Sequence, residues 1–135
     1  MKFFLTSSSI ESTLWCGKLT DYNAGALVFF EGRVRKDNNG KEVVGINYQT
    51  HTSLALNQGE RILGEVIDHL MIIDALAVHR TGSLKLGETA VWVGVLSVHR
   101  KEAFNACDRI IDKIKKEVPI WKQEQYVDGV KEWLV

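Results

Sequence analysis

The clearest hydrophobic pattern lies between residues 90 and 124, where a strand-like period gives way to a helical one. Between Ala90 and Val98 apolar side chains point to both faces, which predicts a strand buried on both sides. From Lys101 onwards, apolar residues recur at helical spacing and predict a helix with one buried face. Pro119 disfavours helical backbone at the preceding residue, so the helix is expected to end at or just before Val118. The predicted stripe comprises Phe104, Cys107, Ile111, Ile114 and Val118, widened by Ala103 and Ile110.

The N-terminal third predicts two strands and a short helix. Residues 2–6 could form a short edge strand, and Ser8 with Glu11 fits a capping box for a helix through Trp15. The apolar run from Ala24 to Glu31 predicts a further strand, hydrophobic enough to be central in a sheet.

The middle of the chain predicts strand, helix and strand in succession. Residues 43–50 and 76–81 have strand patterns, and the helix between them would begin at Thr52 or Ser53 and run to about His69. Together they resemble a βαβ unit, whereas the hairpin that follows, into the Ala90 strand, is antiparallel. Residues 131–135 could add a last short strand. The predicted class is therefore α+β with a mixed sheet.

Composition indicates an ordinary globular protein. With 135 residues, the chain is expected to form one domain over 1–135. The 17 Lys and Arg equal the 17 Asp and Glu, which argues against nucleic acid or an anionic membrane as the main partner. No apolar run approaches the ~20 residues of a membrane span, and Met1–Leu5 is too short for a signal peptide. Cys16 and Cys107 are far apart in sequence, so free thiols in a reducing cytoplasm are expected.

The candidate chemistry is a set of cations. The polar loop of residues 32–41 carries four, and its arginines suit phosphate because a planar guanidinium fork can bond two oxygens. His99 and Arg100 lie where the helix begins, and free N–H groups there favour an anion. Lys115 falls in the last turn, and Lys122 follows the proline beside a tryptophan expected to pack. The alternative for the loop is an exposed hairpin, and for the last-turn lysine a solvated face.

Other kinds of site are not supported. The four histidines and two cysteines show no metal-ligand spacing, and His79 is expected to be a packed or edge residue of a strand. There is no G-x-S-x-G, Walker loop or G-x-G-x-x-G. The residues alone therefore support an α+β domain with an anion site formed by Arg35, His99, Arg100, Lys115 and Lys122.

Several motifs in this order resemble the large subunit of molybdopterin synthase. They are His79-Arg80-Thr81-Gly82, Val98-His99-Arg100, Ala103-Phe104 and Pro119-Ile120-Trp121-Lys122-Gln123-Glu124, with an earlier Gly32-Arg33-Val34-Arg35. The resemblance covers roughly residues 24 to 135. The chain departs from the family pattern Tyr-Glu-x-Tyr-x-x-Met-Ala, because Gln49 stands at the glutamate position and His51 at the second tyrosine.

The resemblance implies a fold and a reaction. The fold would be an α/β hammerhead with a small extra β subdomain. The reaction would transfer sulfur from the C-terminal thiocarboxylate of a small ubiquitin-like carrier subunit to cyclic pyranopterin monophosphate, forming the dithiolene of molybdopterin. A homodimer core of a heterotetramer is expected, with no cofactor and no metal.

The resemblance also implies roles for individual residues. Lys115 and Lys122 would act at the reacting centre, and Arg35, His99 and Arg100 would bind the anionic groups of the substrate. Glu124 would orient Lys122, and Arg33 would support the basic loop. The competing class is a non-catalytic module that binds a phosphorylated metabolite or an acidic peptide tail with the same cations; a structural dimer subunit is the third possibility.

Overall fold

The computed structural model describes residues 1–134, which form nine strands and three helices. The strands are β1 (Phe3–Thr6), β2 (Ala26–Arg33), β3 (Asp37–Asn38), β4 (Lys41–Thr50), β5 (Asp74–Arg80), β6 (Gly82–Lys85), β7 (Thr89–Ser97), β8 (Ile120–Tyr126) and β9 (Lys131–Leu134). The helices are α1 (Ser12–Cys16), α2 (Thr52–His69) and α3 (Arg100–Glu117).

The first sheet has the strand order β1-β5-β7-β2. β1 is parallel to β5, and the other two pairings are antiparallel, so the sheet is mixed. Every residue of β7 from Ala90 to Ser97 is buried, which confirms the two-sided burial predicted for this strand. Val98, predicted as its last residue, lies beyond the strand and is 51% exposed, so that part of the prediction was wrong. β2 is an edge strand, so its predicted central position was wrong. Its apolar side chains Leu27 and Phe29 are 43% and 48% exposed.

A second sheet, of five strands, corresponds to the expected β subdomain. Its order is β3-β4-β8-β9, and β6 pairs with β4. β4 therefore belongs to this sheet whereas β5 belongs to the first, so the predicted βαβ unit was wrong. β6 was missed because its four residues read as a turn, and β8 because its sequence IWKQEQY is mostly polar. The predicted C-terminal strand ends at Leu134 in the structure, and Val135 lies outside the described residues.

Two layers of side chains cover the first sheet. The main core lies between one face of this sheet and helices α2 and α3, and a second cluster under α1 contains Trp92. No helix of the described chain is long and apolar enough to cross a membrane. Mixed sheets packed against helices confirm the α+β class.

Helix α3 ends at Glu117, as Pro119 predicted. Its buried face consists of Ala103, Ala106, Cys107, Ile110 and Ile114. Phe104 is 60% exposed, so its assignment to the buried stripe was wrong. It lies beside the stripe, where the small residues Ala103 and Ala106 make the contact with the sheet.

Two predicted helix starts differ from the structure. α1 begins after Glu11 without a side-chain cap, so the capping box with Ser8 was wrong. α2 is capped by His51, whose Nδ1 accepts a hydrogen bond from the Leu54 backbone N–H at 3.3 Å, rather than by Thr52 or Ser53. The departure from the family pattern at His51 thus has a structural use.

Candidate active site

A cavity of about 400 Å³ opens where α3, β8 and the end of β2 meet. Five of the predicted site residues line it, namely Arg33, Arg35, Lys115, Lys122 and Glu124. The remaining lining residues are Gly32, Asn38, Ile46, Tyr48, His79, Ala90, Val91, Ile111, Ile114, Val118 and Ile120. The cavity therefore combines a cationic rim with a largely apolar wall.

The chain reversal at Pro119 brings the two lysines to the same cavity. Lys115 lies in the last turn of α3, and Lys122 lies in β8 opposite Tyr48 of β4. The Thr50 hydroxyl donates to the Pro119 carbonyl at 2.9 Å and holds the reversal in place. Trp121 is 45% exposed, so its predicted packing was wrong. Strand pairing, rather than the tryptophan, positions Lys122.

Glu124 is the buried acceptor of the cavity. It is 4% exposed, and its Oε2 accepts from Asn38 Nδ2 at 2.7 Å and from the Tyr126 hydroxyl at 3.0 Å. Its Oε1 lies 3.7 Å from Lys122 Nζ, and the Lys122 side chain is 39% exposed. Burial and the charge of Glu124 together raise the pKa of Tyr48 to about 12. The carboxylate is thus held in one orientation by two neutral donors and faces one cation.

The cations of the cavity differ in whether an acidic side chain already contacts them. Arg33 donates to Glu31 Oε2 at 2.7 and 3.1 Å, so its charge is partly neutralised. Arg35 and Lys115 are exposed and make no ion pair within residues 1–134. These two charges are therefore available to a bound anion.

His99 and Arg100 lie outside the lysine cavity. They line a separate surface cavity together with Gly25, Val98 and Phe104, at the N-terminus of α3. Arg100 and Lys115 are fifteen positions apart in α3, which corresponds to roughly 22 Å along the helix axis. Within one chain, the structure therefore does not bring these two residues to the lysine cavity.

The cavity also contains three residues to which the sequence analysis gave no functional role. Asn38 and Tyr48 were given no role, and His79 was expected to be an ordinary packed histidine. His79 is buried, its Nδ1 lies 2.7 Å from the Arg80 carbonyl oxygen, and its ring meets the Tyr48 ring edge-on at 4.9 Å. Burial lowers the pKa of His79 to about 4. A histidine directly after the apolar run of residues 75–78 in β5 was the signal that could have marked it.

Metal ligation and thiol chemistry find no support in the described part of the chain. Between residues 1 and 134, no three His, Cys, Asp or Glu side chains converge as a metal site would require. Cys107 is buried, as predicted, and burial raises the pKa of its thiol to about 11. The residues present instead suit anion binding, proton transfer by an amine and stabilisation of an oxyanion.

Comparison with known proteins identifies the family. Residues 5–117 match the family model described as MoaE protein. The chain is 42% identical over 107 residues to the molybdopterin synthase catalytic subunit of Pyrococcus abyssi, covering 79% of this chain and 72% of that protein. It is 35% identical over 133 residues to the same subunit of Bacillus subtilis, covering 98% and 84%.

A solved structure agrees with the sequence matches. The crystal structure of molybdopterin synthase from Staphylococcus aureus superposes with a TM-score of 0.91 at 30% identity, covering 97% of this chain and 95% of that one. The matched fold includes the strands and helices that line the cavity. The chain belongs to the MoaE family, the catalytic subunits of molybdopterin synthase.

Proposed function

We propose that the lysine cavity transfers sulfur from the C-terminal thiocarboxylate of a small ubiquitin-like carrier subunit to cyclic pyranopterin monophosphate, forming the dithiolene of molybdopterin. The observation that carries this proposal is that Lys115 and Lys122, from α3 and β8, line one cavity with Arg35 at its rim. The relatives named catalytic subunit of molybdopterin synthase support the same reaction.

The cavity suits a flat anionic heterocycle. Its volume of about 400 Å³ lies within the range of small-molecule sites. Ile46, Val91 and Val118 provide an apolar wall against which a pterin ring can pack. Arg35 offers a guanidinium fork to the phosphate, and an exposed arginine can bind an anion without first losing a protein partner.

The sulfur chemistry needs no oxidant. The thiocarboxylate sulfur forms a bond to a substrate carbon, and a carbon–oxygen bond at that carbon breaks. The oxygen leaves as water or, at a carbon esterified to the cyclic phosphate, stays on the phosphate, and a thioester then joins carrier and substrate. Water then attacks the acyl carbon, the acyl carbon–sulfur bond breaks, and the carrier leaves with an ordinary carboxylate. The sulfur stays on the substrate as a thiol. A second carrier repeats the sequence, so two carriers supply the two sulfurs of one dithiolene.

Two tasks in this reaction suit a lysine amine. An ammonium beside the acyl carbon stabilises the tetrahedral oxyanion that forms when water attacks. A positioned amine can also donate a proton to the oxygen that leaves the substrate and remove one from the attacking water. We assign these tasks jointly to Lys115 and Lys122, with Glu124 orienting the latter.

The carrier tail would enter through the cationic rim. A thiocarboxylate at the end of an extended chain is a compact anion. Arg35 and Lys115 at the rim are exposed, and within residues 1–134 neither forms an ion pair with an acidic side chain. Their charges would steer the tail inward and lie next to it once bound. The partner is therefore proposed to be a small protein that threads its C-terminus into the cavity.

We also propose a homodimer, because the edge of the first sheet is exposed and apolar. Within residues 1–134, β2 has no neighbouring strand on its outer side, and Leu27, Phe29 and Phe30 are 43%, 48% and 37% exposed. Val98 and Phe104 extend this patch at 51% and 60% exposure. An uncovered edge strand with large apolar side chains is a template for association with a second copy.

Antiparallel contact between two β2 edges would also complete the site. The start of β2 lies beside the cavity of His99 and Arg100, because Gly25 lines that cavity. The end of β2 lines the lysine cavity through Gly32 and Arg33. A two-fold axis across the middle of β2 would therefore place the start of one copy beside the end of the other. Arg100 and His99 of each copy would then face the lysine cavity of its partner, and the heterotetramer would hold one carrier at each of two shared sites.

The reaction is proposed to take place in the cytoplasm. Cys16 and Cys107 are both free thiols in the structure, and unpaired thiols suit a reducing compartment.

The direct test is conversion of the pterin precursor with defined carrier. The chain is incubated with cyclic pyranopterin monophosphate and a carrier that ends in a thiocarboxylate, and the product is measured by mass spectrometry. We expect a product with two added sulfurs and two carriers consumed per product. The matched control is the same carrier ending in a carboxylate, which should bind but give no product. Binding of both carriers without any sulfur transfer would instead support the non-catalytic module.

A further inference from the structure

His79 lies in the lysine cavity but has no part in the chemistry proposed above. Its side chain comes from β5, between the apolar wall of the first sheet and Tyr48 of the second. The strand pairing of β5 with β7 and the edge-on contact with Tyr48 hold the ring in one position. A histidine fixed in this way presents a definite pattern of donor and acceptor.

The neighbouring carbonyl determines the tautomer. A backbone carbonyl oxygen can only accept, so His79 Nδ1 at 2.7 Å from the Arg80 oxygen must carry the proton and donate it. In the neutral ring, Nε2 is then an unprotonated acceptor. The burial of the ring, which holds the pKa of His79 near 4, keeps it neutral at physiological pH.

The Nε2 acceptor has no protein partner among residues 1–134, where the only hydrogen bond of the ring is the one through Nδ1. It is also not one of the fully enclosed polar atoms without a partner in that range, which are Arg80 Nε and Glu102 Oε2. It therefore remains accessible from the cavity that His79 lines.

His79 Nε2 differs from the charged groups of this cavity because it is a neutral acceptor. Arg35, Lys115 and Lys122 are donors only. The carboxylate of Glu124 is already contacted by Asn38, Tyr126 and Lys122. A phosphate or a carboxylate has no N–H to offer His79, whereas a reduced pterin carries several ring and amino N–H groups.

We propose that His79 Nε2 accepts a hydrogen bond from an N–H group of the pterin ring and so selects the heterocycle over other phosphorylated ligands. This assignment rests on the proposed function, because the ligand is the pterin of that reaction. The two parts of the ligand are thus bound by different residues: the cations bind the phosphate, and His79 binds the pterin ring. His79 acts as a specificity-determining residue and takes no part in the transfer of sulfur.

The test uses the full chain, two ligands and two substitutions. Binding of cyclic pyranopterin monophosphate and of inorganic phosphate is measured by calorimetry for wild type, His79→Phe and His79→Gln. His79→Phe keeps a ring and removes the acceptor, whereas His79→Gln returns an amide oxygen. We expect His79→Phe to bind the pterin about 3- to 10-fold more weakly, the effect of one neutral hydrogen bond, and His79→Gln to recover part of the loss. Inorganic phosphate should bind all three proteins alike, and the exposed His69→Gln serves as the control.

Nitrogen NMR of the wild-type protein tests the tautomer even if a variant does not fold. Long-range ¹H–¹⁵N spectra should show an unprotonated Nε2 for His79 at neutral pH, with its resonance shifting when the pterin is added but not when phosphate is added. A protonated Nε2, or a resonance that the pterin leaves unchanged, would overturn the assignment. So would equal pterin binding by wild type and a folded His79→Phe. Failure of the proposed function looks different, because the wild type itself would then neither bind nor convert the pterin.

Discussion

The ammonium nitrogen of Lys122 lies 3.7 Å from a carboxylate oxygen of Glu124, two residues further along strand β8. Residues two apart in a strand share a face, so both side chains point towards the cavity. The carboxylate is 5% exposed and the lysine side chain 39% exposed. The acid is thus fixed in the protein while the amine at its side reaches the space where a substrate would bind.

Glu124→Gln is expected to slow sulfur transfer about 10-fold or more with little loss of fold. The amide keeps the shape and one acceptor oxygen for Asn38 or Tyr126 but removes the charge that faces Lys122. The measurement is the rate of product formation, together with thermal unfolding. Glu132→Gln is the control, because Glu132 is exposed and its side chain accepts from the Tyr126 hydroxyl at 3.1 Å, with no ion pair to Lys122 among the described residues. Equal rate losses in the two variants would remove the specific role of Glu124.

Mixing two inactive variants should restore activity if the cavity is shared between copies. In a heterodimer of Lys122→Ala and Arg100→Ala chains, one site carries both changes and the other carries neither. Random mixing should therefore recover about a quarter of the wild-type activity. A mixture as inactive as either variant alone, under conditions where exchange of chains is demonstrated by mass spectrometry, would contradict the shared site.

Gly59→Ala is expected to destabilise the protein by about 1–3 kcal/mol, the cost of overpacking a filled core. A Cβ at this position in α2 would overlap the ring of Phe3, which is fully buried. Gly64→Ala in the same helix is the matched control, since a Cβ there meets nothing within 4 Å. It should stabilise by about 0.5–1 kcal/mol through helix propensity. Urea unfolding of both variants measures the two free energies, and effects of the same sign would refute the packing argument.

The buried His79 predicts a pH dependence of stability. Its pKa falls from 6.5 in the unfolded chain to about 4 in the folded one, so between these values the unfolded state binds more protons. Stability attributable to this residue should therefore rise with pH through that window, by about 3 kcal/mol from pH 4 to pH 7. The free energy of unfolding of His79→Phe, subtracted from that of wild type at each pH, should show this slope. A flat difference for His79→Phe would mean that the folded ring titrates normally.

The predictions from sequence were most accurate where one hydrophobic period, of a strand or of a helix, extends over many residues. The burial of β7 and the course of α3 follow from apolar residues repeated over many positions and from Pro119. In both cases a local signal was sufficient, because the element depended on its own neighbours in sequence. Arg35 and Lys115 were cations of a polar loop and of a last helical turn, and their assignment to the site came from the resemblance to the family motif.

Long-range pairing accounts for what the sequence did not reveal. β4 and β5 flank the same helix, and nothing in their patterns shows that they join different sheets. β8 has few apolar residues because it lies in the second sheet, beside the cavity, so Lys122 was assigned to a segment after a tryptophan anchor rather than to a strand. Arg100 and Lys115 lie at opposite ends of α3. Grouping the cations by residue type alone did not reveal that the helix separates them.

The most direct test of the account is single-turnover conversion of cyclic pyranopterin monophosphate with thiocarboxylated carrier in excess, for Lys115→Ala, Lys122→Ala and Lys116→Ala. The first two lysines line the cavity, whereas Lys116, the next residue of α3, is exposed and is not one of its lining residues. Lys115→Ala and Lys122→Ala should each slow product formation at least ~100-fold and shift melting little, since neither opens a core cavity. Lys116→Ala should retain wild-type activity. If Lys116→Ala loses as much activity as the other two, only a diffuse basic patch remains and the assignment of the cavity to sulfur transfer by two specific lysines is wrong.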